Sequence, residues 1–286
     1  MADSRNHSIA VAQARELAAR ADALSGRLID VTSVIYRPDE QGEPQAVGSA
    51  VLLAIGAIRF VVSAAHVLNE GSVHNLYIPT GSELTRLDGD ATRIYSKGAE
   101  TDADDHVDVG VVRLSGEPWD SLDDSHFTQW LEIDHDGHFL KGYAFALLGY
   151  PLTKQREPIE GHHIVARAYR VAALECNRRV YEQERHDPKV HLLIGFDKRK
   201  TWGAEGPVTA PDLYGVSGGG IWNFRKRSLR DAARPPWLAA IAIEWRRRGQ
   251  YRYVLGTRIG VVISALAQRY DDIHRTVMDL ARIRPN

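Results

Sequence analysis

Short apolar runs separated by glycine or proline dominate the chain from residue 27 onward. "RLIDVTSVIYRP", "AVGSAVLLAI" and "AIRFVVSAAHV" are rich in Val, Ile, Thr and Tyr, whose branched or aromatic side chains suit a pleated, half-buried surface. They predict a β meander. "LNEGSVHNLYIP", "TRIYSK" and "HVDVGVVRLSG" continue it. Residues 117–138 are acidic and aromatic without clear periodicity and read as a connection. Beyond them "GYAFALLGYP", "HIVARAYRVAAL", "KVHLLIGF", "WLAAIAIEWR" and "YRYVLGTRIGVVIS" again have strand composition. Many short strands at modest spacing imply a barrel or sandwich.

Helices are expected only at the two ends. Residues 8–24 are rich in Ala, Leu, Arg and Glu, and Ser25-Gly26 follows as a stop signal. In the closing segment Leu266, Tyr270, Ile273, Val277 and Leu280 recur at spacings of three or four, the stripe of an amphipathic helix. The resulting division is 1–26 for an N-terminal helix, 27–118 and 139–265 for two β halves, 119–138 for the connection and 266–286 for a C-terminal helix. The N-terminal helix is expected to pack on the outside of the β structure, with a lid or tether as the alternative.

The longest apolar tract, "AVGSAVLLAIGAIRFVVSAAHVL", is interrupted by Ser49, Arg59, Ser63 and His66 and turns at Gly56, so it reads as a hairpin of buried strands and not a membrane span. At 286 residues and 44% hydrophobic content the chain can bury a real core. Lys and Arg total 36 against 37 Asp and Glu, a formal net charge of -1 that gives no global field for nucleic acid or anionic lipid. Neither partner is expected. The single cysteine, Cys176, excludes an internal disulfide framework and a multi-cysteine zinc site. Together with an opening that lacks the apolar stretch of a secretory signal, it points to a cytoplasmic location.

Candidate chemistry enters at "YGVSGGG". A serine hydroxyl is a weak nucleophile at neutral pH and needs a base, a group that orients the base, and donors for the oxyanion. The sequence holds each. His66 closes the apolar run "FVVSAAHV" and Asp108 opens the strand "DVGVVRL", so both stand at strand ends where side chains can converge. The glycines leave backbone N–H groups and substrate room around Ser217. Alone, a serine in a glycine turn is usually structural, and a histidine at a strand end is usually packed. The three segments together reverse that reading.

"SAAHV", "DVGVVRL" and "GVSGGG", in the order His, Asp, Ser, resemble the three signature segments of the trypsin-like, chymotrypsin-fold serine peptidases. The likeness spans roughly residues 27–266, and the third motif is similar to the bacterial, non-secreted branch. It implies an all-β fold of two six-stranded antiparallel β-barrels, with an N-terminal and a C-terminal helix added. His66 and Asp108 would lie in the first barrel and Ser217 in the second. It further implies His66 as general base and acid, Asp108 as its orienting partner, Ser217 as nucleophile, and the N–H groups of Gly215 and Ser217 as the oxyanion hole. The substrate would be a protein or peptide, with no cofactor or metal, and a regulatory protein partner would be a further expectation.

One position departs from the secreted enzymes of that family, in which an Asp before the serine pairs with a newly cleaved N-terminus. Here it is Val216, which implies activity without such trimming. The resemblance also places 210–213 and "AIAIEWR" along the primary specificity pocket, where Asp212 and Glu244 would favour basic side chains. Other features have plainer readings. Asp102, Asp104 and Asp105 form a solvated acidic loop, with a site for calcium or magnesium near His106 as the alternative, although no Gly-spaced calcium loop is present. The basic triplets at 225–227 and 246–248 read as loop charge, and His162, His163, His186 and His191 as surface or packing residues. A second hypothesis of a different class is a catalytically silent member of the same fold that holds a peptide without cutting it.

Overall fold

The computed structural model describes residues 2–69, 75–95, 106–135, 144–154, 166–203, 206–224, 236–247 and 249–283. Helix α1 (Ala2–Ala23) and a short α2 (Ser25–Asp30) lead into strands β1 (Thr32–Pro38), β2 (Pro44–Ile55) and β3 (Ile58–Ala64). The turn α3 (Ala65–Leu68) follows, and then β4 (Tyr77–Thr80), β5 (Glu83–Arg86), β6 (Gly89–Ile94) and β7 (Val109–Leu114). These strands form one antiparallel sheet in the order β5-β4-β1-β2-β3-β7-β6.

The second half holds β8 (Ala144–Gly149), β9 (Tyr169–Leu174), α4 (Arg178–Gln183), β10 (His191–Gly195), a small hairpin of β11 (Thr201–Gly203) and β12 (Gly206–Val208), β13 (Gly220–Asn223), β14 (Trp237–Arg246) and β15 (Tyr253–Arg258). Its main sheet runs β10-β15-β14-β13-β8-β9. The sheets have seven and six strands, and each curls into the half-barrel expected of a chymotrypsin-like architecture. In β2 every residue from Gly48 to Ile55 is buried. Both faces of that strand are therefore covered, which explains a continuous apolar run where a strand with one wet face would alternate.

The connection is a packed strap of short turns in which Trp119, Phe127, Trp130 and Ile133 are buried. It pairs with Leu53 of β2 through Thr128 and with Leu238 of β14 through Ile133, so it ties the two sheets together. Helix α5 (Ile259–Arg269) packs on β14 and β15, and α6 (Asp271–Ile283) returns to β2 of the first sheet. An ion pair of 2.5 Å between Asp272 and Arg113 fixes that return.

Three boundaries differ from the sequence reading. "RLID" turns as part of α2 before the strand begins: the helix breaks at Leu24, and Ser25 and Gly26 belong to α2 instead of stopping helical backbone. "IGVVIS" is the start of α5: its buried positions Ile259, Val262, Ile263 and Leu266 follow helical spacing, which overrides the β-branched composition. Tyr270, with φ -122° and ψ 116°, then splits the C-terminal segment into two helices. Helix α1 lies outside the second sheet against β9 and β11, where Arg170 and Asp22 pair at 2.6 Å. Among the described residues no helix is long and apolar enough to cross a membrane.

Candidate active site

His66 sits in the single turn α3 that ends β3. That turn packs closely on two neighbouring strands because both carry glycine there. A Cβ at Gly48 would stand 2.4 Å from Val67 Cγ1, and one at Gly110 2.6 Å from Leu68 Cδ1. Asp108, at the mouth of β7, has φ +42°, a left-handed backbone that short polar side chains tolerate better than most. In that conformation its carbonyl accepts the Ala65 N–H at 2.9 Å and its carboxylate accepts the His66 N–H at 3.1 Å. The other carboxylate oxygen lies 2.6 Å from His66 Nδ1. An ionised carboxylate can only accept, so Nδ1 carries the proton and Nε2 is left as an acceptor. The His66 side chain is 49% exposed and that of Asp108 22%, which leaves the imidazole open to a ligand while its partner is covered.

The second sheet anchors this segment. His191 Nε2–H donates to the His106 carbonyl at 2.9 Å, and the Thr257 hydroxyl donates to the Val107 carbonyl at 2.6 Å. His191 is buried, and burial lowers its pKa from the usual histidine value. Its neighbour His186 is pushed down to about 4, first by burial and then by the nearby His191 and Arg246.

In the Ser217 loop Gly215 and Gly218 both have φ +89°. Space and backbone each demand glycine there. A Cβ at Gly215 would be 2.8 Å from the Tyr150 carbonyl, and one at Gly218 1.9 Å from the Ser49 carbonyl and 2.2 Å from Ser63 Oγ. Val216 is buried among apolar residues that include Phe145, Leu147 and Leu213. Two bonds join the loop to β14: Gly218 N–H to the Ala242 carbonyl at 2.7 Å, and Ala242 N–H to the Gly219 carbonyl at 2.8 Å. The pairing of β14 with β15 slips between Ala242 and Glu244, so Ile243 is a bulge residue. The Ser217 hydroxyl donates to the Ile243 carbonyl at 3.2 Å.

Thus His66 and Asp108 are joined directly, whereas among the described residues the Ser217 hydroxyl bonds to β14 and its carbonyl to Ser49 of β2, and neither bonds to His66. The loop reaches the His66 side of the molecule through Gly218, which abuts Ser63, three residues before His66. The Tyr214 carbonyl accepts the Leu152 N–H at 2.7 Å and the Val216 carbonyl accepts the Gly219 N–H at 2.8 Å. Planar trans peptides then turn the N–H groups of Gly215 and Ser217 the opposite way. Neither donates to a backbone acceptor among the described residues. Two donors free to meet an oxyanion are what acyl transfer requires.

Asp212 and Glu244 flank the loop, and each already faces a cation: Lys198 Nζ at 2.8 Å and Arg246 Nε at 2.7 Å. Arg247 lies over the rings of Tyr214, at 5.1 Å, and Trp245, at 5.7 Å. Asp102, Asp104, Asp105, His162, His163, Arg248 and the triplet 225–227 lie outside the described residues. Among the described residues no three His, Cys, Asp or Glu side chains cluster as a metal site. Sequence reasoning gave no role in the site to Ser49, Ser63, Thr257 and Ile243, whereas His191, read as a surface or packing residue, is buried. The signal for the two serines was present, since a hydroxyl inside an otherwise apolar strand must find a partner once buried.

The two curled sheets define the chymotrypsin-like fold. Solved structures of similar shape include a scabies mite inactivated protease paralogue, at 11% identity and a TM-score of 0.53, covering 85% of this chain and 95% of that one. Another is the protein GrC, at 12% identity and a TM-score of 0.53 with the same coverage. Both are homologues of trypsin-like serine proteases, and at these identities the likeness establishes the fold alone. No family model matches the chain, and no curated protein matches it.

Proposed function

We propose that the protein is a serine endopeptidase that hydrolyses a protein substrate through an acyl-enzyme on Ser217. The observation that carries this reading is the His66–Asp108 pair, whose 2.6 Å bond to Nδ1 presets Nε2 as a proton acceptor. For this chemistry the Ser217 hydroxyl must exchange the Ile243 carbonyl for Nε2, and the motion required of it is rotation to another staggered well. His66 removes the proton as Oγ attacks the scissile carbonyl, and Asp108 stabilises the imidazolium that forms. The N–H groups of Gly215 and Ser217 receive the oxyanion. On collapse of the tetrahedral intermediate His66 protonates the leaving amine, and an activated water then releases the acyl group.

Residues 27–118 would supply His66 and Asp108, and 139–265 Ser217 and the oxyanion donors. Val216, apolar and buried, supports activity without a processed N-terminal amine. Asp212 and Glu244 remain the candidates for a preference for basic side chains, tempered by Lys198 and Arg246. A cytoplasmic setting is part of the proposal, as is control by a protein partner. The test is digestion of an unbiased peptide library: the wild type cuts it and Ser217→Ala does not. Equal cutting by both would end the proposal.

A second reading, a silent peptide-binding module, is favoured by the Ser217 hydroxyl bonding to Ile243. It predicts peptide binding by wild type and Ser217→Ala alike, with no cleavage by either.

A further inference from the structure

We propose that Ser49 is the positioning residue that sets the oxyanion-binding geometry of the Ser217 loop, a role that rests on the serine peptidase reading above. Ser49 lies on β2 of the first sheet and is fully buried. All of its polar groups are used, the N–H and hydroxyl across the seam between the sheets and the carbonyl within the first sheet. Its N–H donates to the Ser217 carbonyl at 2.9 Å. Its hydroxyl donates to the Gly215 carbonyl at 2.7 Å and accepts the Tyr150 N–H at 2.8 Å. Its carbonyl accepts the Ser63 hydroxyl at 2.6 Å. One residue therefore holds the carbonyls of both residues whose N–H groups would bind the oxyanion.

The loop needs such a clasp. Glycine at 215 has little conformational preference of its own, so its φ of +89° must be imposed from outside. Val216 is held by apolar packing and offers no side-chain polar atom to the carbonyls on either side of it. The Gly215–Val216 peptide lies between the two donor peptides. Its N–H is tied to the Leu213 carbonyl within the loop, at 3.0 Å, and its C=O to Ser49 Oγ from the opposite sheet. Because the peptide is planar, fixing its carbonyl fixes the rotation of the whole unit. Ser49 thereby couples the strand pair that ends at His66 to the loop that carries the nucleophile.

Ser49→Ala keeps the backbone bond to Ser217 and deletes the two side-chain bonds, while Ser49→Thr keeps a hydroxyl. The experiment measures the rate of acylation by a fluorophosphonate probe, kcat and KM on a cleaved peptide, circular dichroism, and a crystal structure of Ser49→Ala. The expected result is a roughly hundredfold slower acylation and kcat for Ser49→Ala, the scale of a misplaced reacting geometry. KM should be unchanged, Thr should recover most of the rate, and Gly215 should move out of its left-handed conformation in the Ala crystal. Acylation at the wild-type rate, or a loss no larger than the unfolded fraction, with Gly215 unmoved, overturns the proposal. A folded wild type that is never acylated refutes the peptidase reading instead, and the Gly215 conformation in the Ala crystal then decides the clasp by itself. If Thr is too bulky to fold, the Ala crystal and its kinetic split carry the same decision.

Discussion

Replacing Asp108 by Asn perturbs one atom and inverts the hydrogen-bond logic of the site. The carboxylate accepts from the His66 N–H at 3.1 Å and from Nδ1–H at 2.6 Å. An amide offers only one oxygen. If that oxygen keeps the backbone N–H, the NH₂ faces Nδ1, which must then give up its proton and become the acceptor. The proton moves to Nε2, where it opposes removal of the serine proton. A wrong tautomer in a triad lowers turnover about ten-thousandfold, or ~5.5 kcal/mol of barrier at about 1.4 kcal/mol per factor of ten. Stability should hardly change, because Asn is isosteric and also tolerates the left-handed φ of +42°. Asp108→Ala differs there: a side chain without local hydrogen bonding pays about 1–2 kcal/mol in that conformation. The assay is acylation by a fluorophosphonate, with thermal unfolding in parallel. A rate for Asp108→Asn within tenfold of the wild type would refute the assigned tautomer and the role of the pair.

Gly218→Ala places a Cβ 1.9 Å from the Ser49 carbonyl, so the loop must shift; acylation should fall by at least about a hundredfold, and a wild-type rate would contradict the close seam. His186 faces His191, Tyr253, Arg246 and His106, and its folded pKa of about 4 lies below the ordinary 6.5. The unfolded chain therefore binds the proton first, and stability present above pH 6.5 is lost as pH falls toward 4. His186→Asn should flatten the thermal midpoint across that window, and an unchanged slope would count against it. Lys198→Met removes the cation 2.8 Å from Asp212 and should shift cleavage toward substrates with Lys or Arg before the scissile bond. An unaltered library profile would show that Asp212 does not face the substrate.

The β character of the chain and its three candidate segments were legible because both are local. Strand composition marks each run, and the serine loop advertises itself through glycines that the structure requires at 215 and 218. The start of α5 was not legible by composition, since Val261, Val262 and Ile263 favour strands, and only the burial of every third or fourth position reveals the helix. Helix α4 was missed although Asn177 caps it, accepting the Val180 N–H. The seam was hidden for a different reason. Ser49 and Gly215 are 166 residues apart and His191 and His106 are 85 apart, and no periodicity encodes a contact between sheets. The pairing of Asp212 with Lys198 belongs to the same class, because it depends on where two loops come to rest.

The central claim is that Ser217 becomes an activated nucleophile. Intact-mass analysis after exposure to a fluorophosphonate tests it most directly. The account predicts a single adduct on the wild type that maps to Ser217, none on Ser217→Ala, and a strongly slowed reaction for His66→Ala. A folded wild-type protein that stays unmodified, or an adduct that persists in Ser217→Ala, would contradict it.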